Sequence, residues 1–226
     1  MIDKKYLPHA VFLMLCLIWG STWVVIKIGL QEAPPFLSAG ARFLIAVLLL
    51  YALMKIRGLK LPKDRRALML MIYTGTFAVS LAYGLVYWAE QHVAAGLTAV
   101  LFSSFPFFVI IYSHFMIAND RLTKMKIIGS CIGFGGVVLI YLDSLRIDNV
   151  FVLVGASAIV VSAICTAFSN VVIKKNFDIL DPVVLSVVQM TCGAVTLLAI
   201  GFIFEDPANF RLTLTSLASL FCLAVV

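Results

Sequence analysis

Charge is scarce in this sequence: 12% of its 226 residues are Asp, Glu, Lys or Arg, about half the share found in a soluble domain. The length suffices for a water-soluble core, yet no such core needs 63% hydrophobic residues, so lipid is the solvent for most of the chain. The net charge of +6 does not mark a nucleic-acid partner. The basic residues fall in short stretches between apolar runs and form no continuous basic stripe, the pattern left by the bias of Lys and Arg toward cytoplasmic loops. Cysteine is sparse as well. Cys16, Cys131, Cys165, Cys192 and Cys222 each lie inside an apolar run, without a C-x-x-C pair or a histidine at metal-ligand spacing. That excludes a disulfide framework and a zinc site and leaves packing roles. Also missing are an H-E-x-x-H pair, a G-x-S-x-G elbow, a phosphate-cradling G-x-x-x-x-G-K loop and a membrane-embedded Asp pair. An enzyme is therefore not expected, nor a cofactor or a bound metal. The first apolar run, from about Ala10 to Leu30, exceeds a signal-peptide core and has no small-x-small cleavage site after it, so it is expected to stay as a helix.

What is abundant is apolar sequence in blocks long enough to cross a bilayer, near residues 9–31, 36–56, 67–88, 93–117, 125–142, 151–174 and 181–204. The fold class is an all-α integral membrane protein. An eighth block begins near 212 and is only about 22 Å long by Val226, against a hydrocarbon core of about 30 Å. The chain is thus expected to stop partway through its fold. Of the 17 basic residues, 13 fall on one side of this segmentation: Lys4 and Lys5, then Lys55, Arg57, Lys60, Lys63, Arg65 and Arg66, then Arg121, Lys124 and Lys126, then Lys174 and Lys175. The opposite loops hold Arg146 and Arg211. A multi-pass protein of the inner (plasma) membrane with a cytoplasmic N-terminus is the expectation.

The segment Val24-Val25-Ile26-Lys27 recurs as Val171-Val172-Ile173-Lys174, and at the same offset of 147 Pro35 falls on Pro182. Five crossings separate the copies, so they run in opposite directions, a plan common to secondary transporters. The first unit is set at 9–142 and the second, incomplete, at 151–226.

Polar residues inside the apolar blocks are the candidate site. Thr76, Ser80, Tyr83, Tyr87 and Glu90 recur at helical spacing and are expected on one face of the third helix, which suits either a cavity wall or interhelical hydrogen bonding. Gly20, Trp23 and Lys27 recur at helical spacing on the first helix, with Trp19 adjacent, and Arg42 lies within two turns of the start of the second. Either cation suits snorkelling to the interface or, facing inward, a basic vestibule with Glu90 as the nearest candidate partner. Ser103, Ser104 and Pro106 fall mid-membrane on the fourth helix, where proline frees a carbonyl and kinks the helix or offers a polar group to a cavity. Gly129, Gly133 and Gly136 read as a packing face. Ser162, Thr166, Ser169 and Asn170 on the sixth helix, and Ser186, Gln189, Gly193 and Thr196 on the seventh, suit a pathway or helix adhesion equally. Asn170 occupies the repeat position of Trp23, and Gln189 that of Arg42.

With these residues in view the sequence resembles the EamA-domain permeases of the drug/metabolite transporter superfamily. The resemblance rests on Trp19-Gly20-Ser21, Lys27, Pro34-Pro35, Arg42, Tyr87-Trp88-Ala89-Glu90, Ala95-Gly96, Pro106, Arg121-Leu122, Gly129 and Gly133-Phe134-Gly135-Gly136-Val137, in that order. It implies ten helices in two inverted five-helix repeats around a central cavity, and export or exchange of amino acids, other metabolites or drugs; alternating access is the expectation from the two inverted halves. The sequence departs at Asn119-Asp120, where the family commonly has Glu before the basic residue, and in the helices expected beyond Val226. Tyr83 and Trp23 would form aromatic walls, Ser103, Ser104 and Asn170 would supply hydrogen bonds, and Lys27 or Arg42 a charge at the mouth. The partners implied are a lipid bilayer and a small-molecule substrate, with a homodimer left open. The rival readings are a non-transporting membrane interaction or assembly protein, or an inactive fragment of a transporter; an intramembrane enzyme lacks a catalytic set.

Overall fold

A computed structural model describes residues 7–118, 122–140, 150–176 and 180–225. Lys4, Lys5, Asn119, Asp120, Arg121 and Arg146 lie outside the described residues. The described residues form helices and no strand: α1 (Leu7–Gly29), α2 (Pro35–Ile56), α3 (Arg65–Gly75), α4 (Ala82–Ala89), α5 (Ala95–Phe102), α6 (Phe105–Met116), α7 (Lys124–Ile140), α8 (Val150–Lys175), α9 (Pro182–Phe204) and α10 (Leu214–Val225). A π-helical turn, Thr76–Leu81, joins α3 to α4. Among the described residues six segments are long and apolar enough to cross a membrane: Val11–Gly29, Pro35–Ile56, Arg65–Ala89, Ala95–Met116, Val150–Lys175 and Pro182–Phe204. They coincide with six of the seven expected crossings. The remaining one, α7, has 17 described residues. Large apolar side chains such as Phe12, Leu17, Leu48, Phe202 and Phe204 stand more than half exposed on the outside of the bundle, as a lipid-facing surface requires.

Local chemistry sets the helix starts. Asp64 accepts from the backbone N–H groups of Arg66 and Ala67 at the head of α3, and Asp181 accepts from those of Val183 and Val184 at the head of α9. Pro35 and Pro182 occupy the first turns of α2 and α9, where a missing N–H costs nothing. At α2 the cap comes from far along the chain: the Glu205 carboxylate accepts from Phe36 N at 2.9 Å and Leu37 N at 2.8 Å. This bond places the start of α2 beside the end of α9, so the two helices run antiparallel. Similarly, Lys27 near the end of α1 and Gly155 near the start of α8 both meet the turn between α4 and α5, which makes α1 and α8 antiparallel.

The seam between α2 and α9 is backbone-close. A Cβ on Gly40 would lie 2.6 Å from Leu198 Cγ and 2.9 Å from Leu198 N, and one on Gly201 would lie 3.0 Å from Leu37 N. Gly75 faces the backbone of Gln189 in the same way, with 2.7 Å to its Cα. Small residues at helix crossings let backbones approach where the hydrophobic effect offers no drive. The expected glycine face of α7 behaves differently: among the described residues Gly129, Gly133 and Gly136 have no packing neighbour within 4 Å of a Cβ position. α7 borders only α5 and α6 closely, so its glycines do not build a helix contact among the described residues.

Candidate functional site

A cavity of about 110 Å³ lies among α1, α2, α4, α5 and α8. Its walls include Trp19 and Trp23 from α1, Arg42 from α2, Tyr83 from α4, Phe102 from α5, and Ser162 and Thr166 from α8. Trp23 tilts against Phe102 with ring centroids 5.0 Å apart, and Tyr83 meets Phe43 edge-on at 5.1 Å. A wider groove of about 550 Å³ adjoins it along α1, α5, α6 and α7, sharing Trp19, Trp23 and Phe102 and adding Ser103 and Pro106.

Arg42 is the chemical centre of the cavity. Only 7% of it is exposed, although it sits two turns inside an apolar helix. Its Nε donates to the Leu223 carbonyl at 2.9 Å and a terminal nitrogen donates to the Tyr87 hydroxyl at 3.3 Å. The guanidinium carbon lies 5.1 Å from the ring centroids of both Phe43 and Tyr83, so two π faces further stabilise the charge. Arg42 is thus held inward rather than snorkelling to the interface.

Lys27 turns inward too, but away from the cavity. Its ammonium donates to the backbone carbonyls of Glu90 and, at 3.0 Å, Val93, tying the end of α1 to the α4–α5 turn. The expected partnership with the Glu90 side chain is replaced by one with its carbonyl. Neither Glu90 carboxyl oxygen has a hydrogen-bond partner among the described residues, although the residue is fully buried one position beyond the third span. Burial pushes this carboxyl up to about 8, against the opposing pull of the Lys27 ammonium.

The polar stripe of the third crossing is not one face in the structure. The π turn between Thr76 and Leu81 adds a residue to the turn and rotates α3 relative to α4. Thr76 and Ser80 line a separate, almost wholly apolar groove against α9, while Tyr83 faces the cavity and Tyr87 is buried under Arg42. Thr76 bonds back to the Ile72 carbonyl, and Ser80 Oγ is buried without a partner among the described residues.

The fourth crossing breaks rather than bends. α5 ends at Phe102, the carbonyl that Pro106 cannot serve, and α6 restarts at Phe105. Ser103 and Ser104 occupy the break, their hydroxyls donating back to the Val100 and Leu101 carbonyls at 2.6 and 2.7 Å. Ser103 and Pro106 line the adjoining groove; Ser104 lines neither space.

Two expected members lie elsewhere. Gln189 donates to the Thr74 hydroxyl at 2.9 Å and so fastens α9 to α3, and Asn170 is exposed on α8 outside the cavity lining. Their repeat relation to Arg42 and Trp23 gives them matching depth along a helix but not matching rotation about it. Conversely, Ser162 and Thr166 line the cavity and belong to the polar set read on the sixth crossing, whereas Phe102 and Ile18 carry no distinguishing signal among so many apolar residues, and Thr22 is a polar residue of the first apolar block that the spacing of Trp23 and Lys27 does not pick out.

The family model described as the EamA-like transporter family matches residues 7–142. The chain belongs to this family. It is 32% identical over 206 residues to the uncharacterized transporter YoaV of Bacillus subtilis, covering 90% of this chain and 70% of YoaV. It is 33% identical over 190 residues to the uncharacterized inner membrane transporter YedA of Escherichia coli, covering 84% of this chain and 58% of YedA. Protein PagO of Salmonella typhimurium is 25% identical over 206 residues, covering 90% of this chain and 67% of PagO. A crystal structure superposes with a TM-score of 0.69 at 16% identity, over 92% of this chain and 73% of the other, a likeness of fold.

Proposed function

We propose that this chain takes part in moving a small solute across the inner membrane by alternating access, with the Arg42 cavity as the central site. The observation that carries the reading is an inward-held guanidinium beside an aromatic-walled cavity in the middle of a lipid-exposed bundle. Such a charge is costly in a membrane and belongs where a solute or its pathway uses it. The antiparallel course of α1 against α8 and of α2 against α9, with Pro35 and Pro182 opening α2 and α9 at the 147-residue offset, supports two inverted units at 9–142 and from 151 onward. Inverted units of similar energy give two mirror arrangements, each opening the same site to one side. The basic ends of α2, α3 and α8 lie at one end of the bundle and support a cytoplasmic N-terminus.

Within this reading Tyr83, Trp23 and Trp19 supply walls, Ser162 and Thr166 supply hydrogen bonds, and Arg42 supplies charge. The broken fourth crossing, with Ser103 and Pro106, lines the approach. The measurement is solute flux in proteoliposomes containing the purified chain, monitored with a panel of labelled metabolites. Flux that is saturable and is lost in Tyr83→Ala and Ser162→Leu is the expected outcome. Flux undiminished when Tyr83, Ser162 and Thr166 are all replaced would remove the site assignment.

A further inference from the structure

We propose that the ligand of the central cavity is a small monovalent anion, a carboxylate carried on an apolar or aromatic body, seated on Arg42. The inference rests on the transport reading for its biological sense but not for its chemistry. A guanidinium buried in the low-dielectric part of a bundle is stable only when its charge is compensated. Here none of its partners among the described residues is anionic. The Leu223 carbonyl, the Tyr87 hydroxyl and the faces of Phe43 and Tyr83 are all neutral, and no ion pair to Arg42 occurs among the described residues. These two hydrogen bonds engage two of the five N–H groups that a guanidinium carries, and its planar fork suits a carboxylate.

The charge of the ligand comes from a count of the groups that reach the cavity. Among the described residues Arg42 is the only Lys or Arg in its lining, because Lys27 is committed to the carbonyls of Glu90 and Val93. One cation balances one negative charge, which favours a carboxylate over a phosphate dianion. No carboxylate among the described residues lines the cavity to receive the ammonium of a cationic ligand. The rest of the wall is largely aromatic, and Trp19, Trp23 and Phe102 continue into the adjoining groove, so an apolar body has surface to cover beyond the anionic head. A cavity of about 110 Å³ keeps that head group small.

The test uses three probes of nearly one shape and three charges: benzoate, benzamide and benzylamine, radiolabelled and dialysed to equilibrium against the purified chain at neutral pH. Benzoate is expected to bind at least about tenfold more tightly than either of the others, and Arg42→Gln to erase that preference. Equal or absent binding of benzoate and benzamide overturns the inference, as does tightest binding of benzylamine. Efficient displacement of benzoate by sulfate, which is fully divalent at neutral pH, overturns the monovalent assignment. The comparison of probes on the unsubstituted chain stands even if Arg42→Gln fails to fold. Benzoate binding without flux of any solute would remove the transport reading and leave the anion site, whereas flux of a neutral or cationic solute without benzoate binding would do the reverse.

Discussion

Replacing Gly40 by alanine tests whether the α2–α9 seam is set by backbone contact. The added methyl would lie 2.9 Å from Leu198 N and 2.6 Å from Leu198 Cγ, where ordinary contact begins near 3.4 Å. A side chain can swing away, but a backbone nitrogen inside a helix cannot. The helices must therefore part by about half an ångström along this stretch, loosening neighbouring contacts on either side. Overpacking of this kind costs about 1–3 kcal/mol. Gly133→Ala is the matched control, since nothing lies within 4 Å of its Cβ position, and alanine's better helix propensity contributes up to about 1 kcal/mol in the stabilising direction. Unfolding in mixed micelles by increasing SDS, monitored by far-ultraviolet circular dichroism, gives both midpoints. The midpoint for Gly40→Ala should fall while that for Gly133→Ala holds or rises. An unchanged midpoint for Gly40→Ala, or a larger loss for Gly133→Ala, would refute the reasoning.

Three further outcomes are expected. Glu205→Ala removes the acceptor for Phe36 N and Leu37 N and should lower stability by about 0.5–2 kcal/mol in the same unfolding assay, with Glu205→Gln intermediate. Lys27→Met keeps the apolar stem but strands two carbonyls of the α4–α5 turn, a loss of about 1–3 kcal/mol, accompanied by faster amide exchange across residues 90–94. The folded chain holds the Glu90 proton up to about 8 while the unfolded chain releases it near 4.5, so stability should decline as pH rises through that window. Glu90→Gln should flatten the decline, and a pH profile identical to that of the parent would count against the buried carboxyl as its source.

Much of the architecture was legible in the sequence because membrane solvent imposes a simple rule: apolar blocks become crossings, and Pro35 and Pro182 fall where α2 and α9 start. The 147-residue echo foreshadowed the antiparallel relation of α1 to α8. The site was legible only in part, because a stripe argument assumes an unbroken 3.6-residue period. The π turn at Thr76–Leu81 breaks that period and sends Thr76 and Ser80 to a different surface from Tyr83. Rotation about a helix axis was likewise unreadable for Gln189, whose bond to Thr74 depends on how closely Gly75 lets α9 approach. Arg42 was readable as an inward or a snorkelling cation, and only the placement of Tyr87, Tyr83 and the Leu223 carbonyl decides between them.

The carboxylate clasp from Glu205 has a mechanical consequence. By gripping the first turn of α2 from the last turn of α9, it welds those two rods into one beam at the end of the bundle where α1 finishes and α8 begins. A beam of that kind does not splay at that end. At that same end a single lysine latches α1 to the turn after α4.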